Sequence, residues 1–116
     1  MKKILIVDDE RVVCDHLARM LQRHSIDALA CYDGSSAIST FMSFRPDMVF
    51  LDLHLPEIKG EAVFDQMHAI DPSAAIYLVS GSQDDIETLK LKAKPFRGYL
   101  LKPVMPPDII NLATTP

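Results

Sequence analysis

The chain has 116 residues, a formal net charge of −4, 48% hydrophobic residues and 24% charged ones. That is one domain by length, with an ordinary globular composition and no apolar stretch near the roughly 20 residues of a membrane span. The acidic balance excludes a phosphate-tracking basic surface, and the four-residue apolar run after Lys2-Lys3 is too short for a signal peptide, so the cytoplasm is the expected location.

Ile4–Val7 is a continuous apolar run, as in a parallel strand covered on both faces, and it leads into Asp8-Asp9-Glu10. Arg11–His24 has helical spacing, with Val13, Leu17, Met20 and Leu21 on one stripe and Asp8 or Asp9 placed to cap it. Asp27–Tyr32 reads as a short second strand closed by Asp33-Gly34. Ser35–Phe44 follows as a helix with Ala37, Ile38, Phe41, Met42 and Phe44 as its apolar positions. The third strand, Met48–Leu51, also stops on an acid, Asp52. Pro56 stiffens the loop to Lys59, and Gly60 opens a helix carrying Val63, Phe64, Met67 and Ile70 until Asp71-Pro72 ends it.

Ala75–Val79 is the fourth strand and ends in Ser80-Gly81-Ser82. Asp84 to about Lys92 is a weaker helix with Ile86 and Leu89 inward. Gly98–Leu101 is the fifth strand, followed by Lys102-Pro103. Pro106-Pro107 is expected to delay a last short helix, Asp108–Ala113, and Thr114-Thr115-Pro116 to end it. The chain is thus expected to be one domain over 1–116 with a final helix truncated near 113. Cys14 and Cys31 are isolated, without metal-ligand spacing, and are expected as reduced core residues.

Five strand–helix repeats without linkers argue for an α/β fold with a doubly wound parallel sheet. Ligands of such sheets sit beyond the carboxyl ends of the strands, where strand order reverses. Asp8, Asp9, Asp52, Ser80 and Lys102 all fall at those ends. If the first and third strands are neighbours, three carboxylates share one pocket. They then need a cation, a proton or a covalent modification to be tolerable.

Asp8-Asp9, Asp52 with Pro56 and Gly60, Ser80, and Lys102-Pro103 follow one another in this order, each group at the end of its strand. With these residues the chain resembles the receiver domain of bacterial two-component response regulators, the CheY-like group, over nearly its whole length. The resemblance implies a flavodoxin-like five-stranded sheet in the order 2-1-3-4-5. It implies that Asp52 is the phosphoacceptor, charged by a sensor histidine kinase or a histidine phosphotransfer protein. Mg²⁺ (or Mn²⁺) would be held by Asp9, Asp52 and the backbone carbonyl of His54, with Asp8 acting through water. Ser80 and Lys102 would bind the phosphoryl group, and the peptide bond to Pro103 would be cis. Ser80 and Tyr99 would form a switch that signals through the face of helix 4, strand 5 and helix 5.

The same resemblance implies a signalling domain rather than an enzyme, with self-phosphorylation from small phosphodonors and slow autodephosphorylation. The partners implied are a downstream protein or attached output domain, and a homodimer, with no nucleic acid or membrane bound by this domain. Two features depart from the family pattern. Leu91–Arg97 replaces a small acidic turn with one bearing Lys92, Lys94 and Arg97, and the last helix is short. A phosphohydrolase of the haloacid dehalogenase type would need an acid where His54 stands. A flavin carrier would need a Ser/Thr/Gly-rich loop where Asp8-Asp9-Glu10 stands. A degenerate receiver would lack one of the reactive residues, and none is missing.

Overall fold

The computed structural model describes residues 2–115. Strand and helix alternate as β1 (Lys3–Val7), α1 (Arg11–Gln22), β2 (Asp27–Cys31), α2 (Gly34–Phe44), β3 (Met48–Asp52), α3 (Gly60–Ile70), β4 (Ala75–Ser80), α4 (Gln83–Leu91), β5 (Gly98–Leu101) and α5 (Pro106–Thr114). Every strand pairing is parallel and the sheet order is β2-β1-β3-β4-β5, the doubly wound arrangement expected. Alternation along the strands divides the core in two. Leu5, Val7, Val49 and Leu51 pack with Phe41, Phe64, Met67 and Ile86 of α2, α3 and α4. Ile4, Ile6 and Phe50 pack with Cys14, Leu17, Leu21 and Ile109 of α1 and α5. Phe50 stacks on Tyr77 with ring centroids 5.5 Å apart.

The buried stripe of α1 differs from the expected one. Cys14, Leu17, Ala18 and Leu21 are buried, whereas Val13 is 41% exposed. The set starting at Cys14 keeps the i, i+3, i+4, i+7 spacing, and its small members allow close approach to the sheet. The thiol of Cys14 accordingly donates to the carbonyl of Ile6 at 3.4 Å. Both cysteines are free and buried. Of the apolar positions of α2 and α3, Met42 is 56% exposed and Ile70 37%.

Two other expectations are corrected at helix ends. Neither Asp8 nor Asp9 is the N-cap of α1; Glu10 holds that position, without a side-chain capping bond. And α5 begins on Pro106 rather than Asp108, because first-turn N–H groups have no helical partner, so proline loses nothing there. It ends one residue past Ala113, at Thr114; Pro116 lies outside the described residues. Among the described residues no helix is long and apolar enough to cross a membrane.

Candidate functional site

Because β1 lies between β2 and β3, strand order reverses at the carboxyl ends of β1 and β3, and a crevice opens there. Asp8 and Asp52 continue the alternation of Ile4/Ile6 and Met48/Phe50, and Lys102 continues that of Leu100, so all three turn toward one side. Asp8, Asp9 and Asp52 each offer a carboxylate oxygen to a cluster within 4.8 Å. Asp52 is 1% exposed and Asp8 7%, whereas Asp9 is exposed.

The Lys102 ammonium donates to Asp52 Oδ2 at 2.8 Å and stands 3.8 Å from both Asp8 Oδ2 and Glu10 Oε1. The other Asp52 oxygen, Oδ1, accepts the His54 backbone N–H at 2.9 Å. The end of β5 is fixed by the Lys102 N–H donating to the Ser80 carbonyl at 2.8 Å, and the Lys102–Pro103 peptide is cis.

Ser80 and Tyr99 lie on the other side of the sheet, toward α4. Ser80 is fully buried, and its hydroxyl accepts the Ser82 N–H at 3.0 Å instead of touching the carboxylates. Tyr99 is half-buried against the α2–α4 layer, with the Lys90 ammonium 4.8 Å from its ring centroid. Gly81 leaves open space beside Ser80: a Cβ there would meet nothing within 4 Å.

Two contacts were not expected. Glu10 shares Lys102 with the aspartates, and the His54 ring pairs with Asp85 of α4 at 2.8 Å. The spacing of 31 residues between His54 and Asp85 carries no linear signal of that pairing. Lys92 and Lys94 also bind Glu61 and Asp65 of α3, so of the three cations expected to make that edge basic, Arg97 alone forms no ion pair among the described residues.

Charge in the crevice is unbalanced. Asp8, Asp9 and Asp52 cluster beside one ammonium, Lys102, which pairs with Asp52, Asp8 and Glu10. Burial pushes the Asp8 carboxyl up to about 6; the Glu10 N–H opposes this and the Asp52 charge adds to it, with Lys102 partly compensating. Burial pulls Lys102 down, but its hydrogen bond to Asp52 and the charges of Asp52, Asp8 and Glu10 outweigh that and hold it above its ordinary value. A strained acid among hard oxygen ligands fits a divalent cation such as Mg²⁺.

The Asp8 shift has a measurable consequence in chelator. A carboxyl raised in the folded state is a cost present in full above about pH 6 and relieved as pH falls toward 3.8. Urea unfolding of wild type and Asp8→Asn should therefore diverge with pH. The variant should be the more stable at pH 7.5, by up to roughly 3 kcal/mol, and the advantage should shrink by pH 5. A difference independent of pH would show that Asp8 is ionised at no cost.

A model of the response regulator receiver domain matches residues 4–114. The chain is 31% identical over 110 residues to the sensory transduction protein RegX3 of Mycolicibacterium smegmatis, covering 95% of this chain and 48% of that protein. It is 28% identical over 109 residues to the DNA-binding response regulator MtrA of the same organism, covering 94% of this chain and 47% of that one. The chain thus spans about half the length of these relatives. A CheY-like receiver domain protein from Methanospirillum hungatei has a similar fold, with a TM-score of 0.88 at 22% identity over 97% of this chain and 90% of that one.

Proposed function

Since the chain belongs to the response regulator receiver domain family, a signalling domain of two-component systems, we propose that Asp52 accepts its phosphoryl group. The observation that carries this reading is the buried Asp52 carboxylate, held by Lys102 at 2.8 Å on one oxygen and by the His54 N–H on the other, beside two further acids. These two bonds fix the carboxylate plane, so attack on phosphorus needs no reorientation of the nucleophile. In the transfer an Asp52 oxygen bonds to phosphorus while the donor's P–N bond breaks. The histidine of a sensor kinase or phosphotransfer protein leaves with that electron pair and regains a proton from solvent.

Lys102 then has two demands on it: it leaves Asp52 Oδ2, whose charge is spent in the new bond, and follows the charge onto the phosphoryl oxygens. Asp9, Asp52 and the His54 carbonyl would hold Mg²⁺ or Mn²⁺, with Asp8 in support, and the bound cation supplies charge neutralisation at the phosphoryl oxygens. Water attacking the same phosphorus returns phosphate and the free carboxylate, so slow self-dephosphorylation accompanies the modification.

The added charge gives the Ser80 hydroxyl a stronger partner than the Ser82 backbone. Its departure makes room for Tyr99, and the surface of α4, β5 and α5 carries the change to a homodimer partner, a downstream protein or an attached output domain. Residues 1–116 act as one receiver domain, in the cytoplasm where histidine kinases present their phosphoryl groups. Incubation with Mg²⁺ and acetyl phosphate should add one acid-labile phosphoryl group per chain, and EDTA should abolish it. Labelling unchanged by EDTA would remove the cation from the scheme, and no labelling under any divalent ion would overturn the reading.

A further inference from the structure

α4, like α5, is lightly held. It has nine residues and buries two side chains, Ile86 and Leu89, against four on α1. It is separated from α3 by a cavity of about 620 Å³ lined by Leu53, Leu55, Pro56 and Leu89 among others. Polar side chains bridge that gap at both ends. At the amino end the His54 Nε2 meets Asp85 Oδ2 at 2.8 Å. At the carboxyl end Ala93 turns the chain with φ 55°, and Lys92 reaches both Glu61 oxygens at 3.1 Å. Lys94 reaches Asp65 at 2.8 Å and Glu61 at 3.4 Å, with its side chain only 22% exposed.

We propose that α4 is clamped to the α3 side by these two side-chain bridges, and that Asp85, through its 2.8 Å contact with His54, is the positioning residue that links α4 to the phosphoacceptor loop. The second half rests on the reading of Asp52 given above. One exposed ion pair is weak by itself. The carboxyl-end bridge is a network in which one lysine serves two acids, and the amino-end bridge has the shortest path to the site. His54 donates its N–H to Asp52 Oδ1 and offers its ring to α4, so a shift of that loop moves both. A helix with two buried anchors is where such small terms decide the position.

The test is amide hydrogen exchange of residues 83–91 in the full chain, with and without Mg²⁺ and beryllofluoride, for wild type, Asp85→Asn, Lys94→Gln and Asp84→Asn. Asp84 shares the first turn of α4 and its favourable dipole position but makes no ion pair among the described residues, so its variant separates clamp from helix dipole. Without beryllofluoride, Asp85→Asn and Lys94→Gln should speed exchange in α4 roughly three- to tenfold while Asp84→Asn does not. In wild type, beryllofluoride should speed it similarly, and in Asp85→Asn it should add little. Equal effects of Asp85→Asn and Asp84→Asn, or none from either, overturn the clamp. Bound beryllofluoride, seen by fluorine NMR, with unchanged α4 exchange in wild type overturns the link to the loop. No bound beryllofluoride at all overturns that link together with the phosphoacceptor reading, and leaves the comparison of unmodified variants to decide the clamp.

Discussion

Asp52→Asn should take up no phosphoryl group from acetyl phosphate and Mg²⁺, a fall of roughly three orders of magnitude or more in the rate of incorporation. The substitution keeps shape and volume, and a carboxamide oxygen can still accept the His54 N–H. What it removes is the anionic oxygen proposed to attack phosphorus. Loss of folding should not confuse the result. Asp52 is one of the causes of the raised Asp8 carboxyl, so removing its charge relieves repulsion in the crevice. Against that, Lys102 loses its 2.8 Å partner and keeps Asp8 and Glu10 at 3.8 Å, so it stays paired. The variant should unfold within about 1 kcal/mol of wild type. Stoichiometric labelling of a folded Asp52→Asn protein would move the acceptor to Asp8 or Asp9 and overturn the assignment.

Gly60→Ala should destabilise the domain by about 3 kcal/mol and slow phosphoryl uptake as well. A Cβ on Gly60 would stand 2.5 Å from Leu53 Cα, 2.7 Å from the Asp52 carbonyl oxygen and 2.9 Å from the Leu53 carbonyl oxygen. All three are backbone atoms and cannot swing away as a long side chain would. The Gly60 N–H also donates to the Leu53 carbonyl at 3.1 Å, so helix and loop meet main chain to main chain. Alanine is favoured over glycine by up to about 1 kcal/mol inside a helix. The clash exceeds that, and the sign is set by packing. Any relaxation pushes on the end of β3 that carries Asp52. Gly81→Ala, where the added Cβ meets nothing, is the matching control and should leave stability within about 0.5 kcal/mol. A Gly60→Ala midpoint in urea equal to that of wild type would refute the close contact.

The sheet was legible in the sequence because its three central strands, β1, β3 and β4, are buried on both faces. Such strands show as unbroken apolar runs, and the acid or serine at the end of each marks where it leaves the core. Helix faces were less legible. On α1, Val13 and Met20 are as apolar as the residues that are buried, and small Cys14 and Ala18 win their places through close approach to the sheet, a tertiary effect. At Pro106-Pro107 two helix breakers start a helix, since their position within it decides whether the missing N–H matters. The Asp8, Asp9, Asp52 and Lys102 grouping followed from strand ends and the family resemblance together. The His54–Asp85 bridge did not, because it joins a loop to a helix over a distance that no local pattern encodes.

The crevice draws its carboxylates from the first and third strands but its single ammonium from the fifth, fifty residues after Asp52. A ribosome delivers these parts in that order. Until the edge strand has emerged and docked, a growing polypeptide presents acids without their counterion. The charge balance of the crevice is therefore acquired only when synthesis of the sheet is complete.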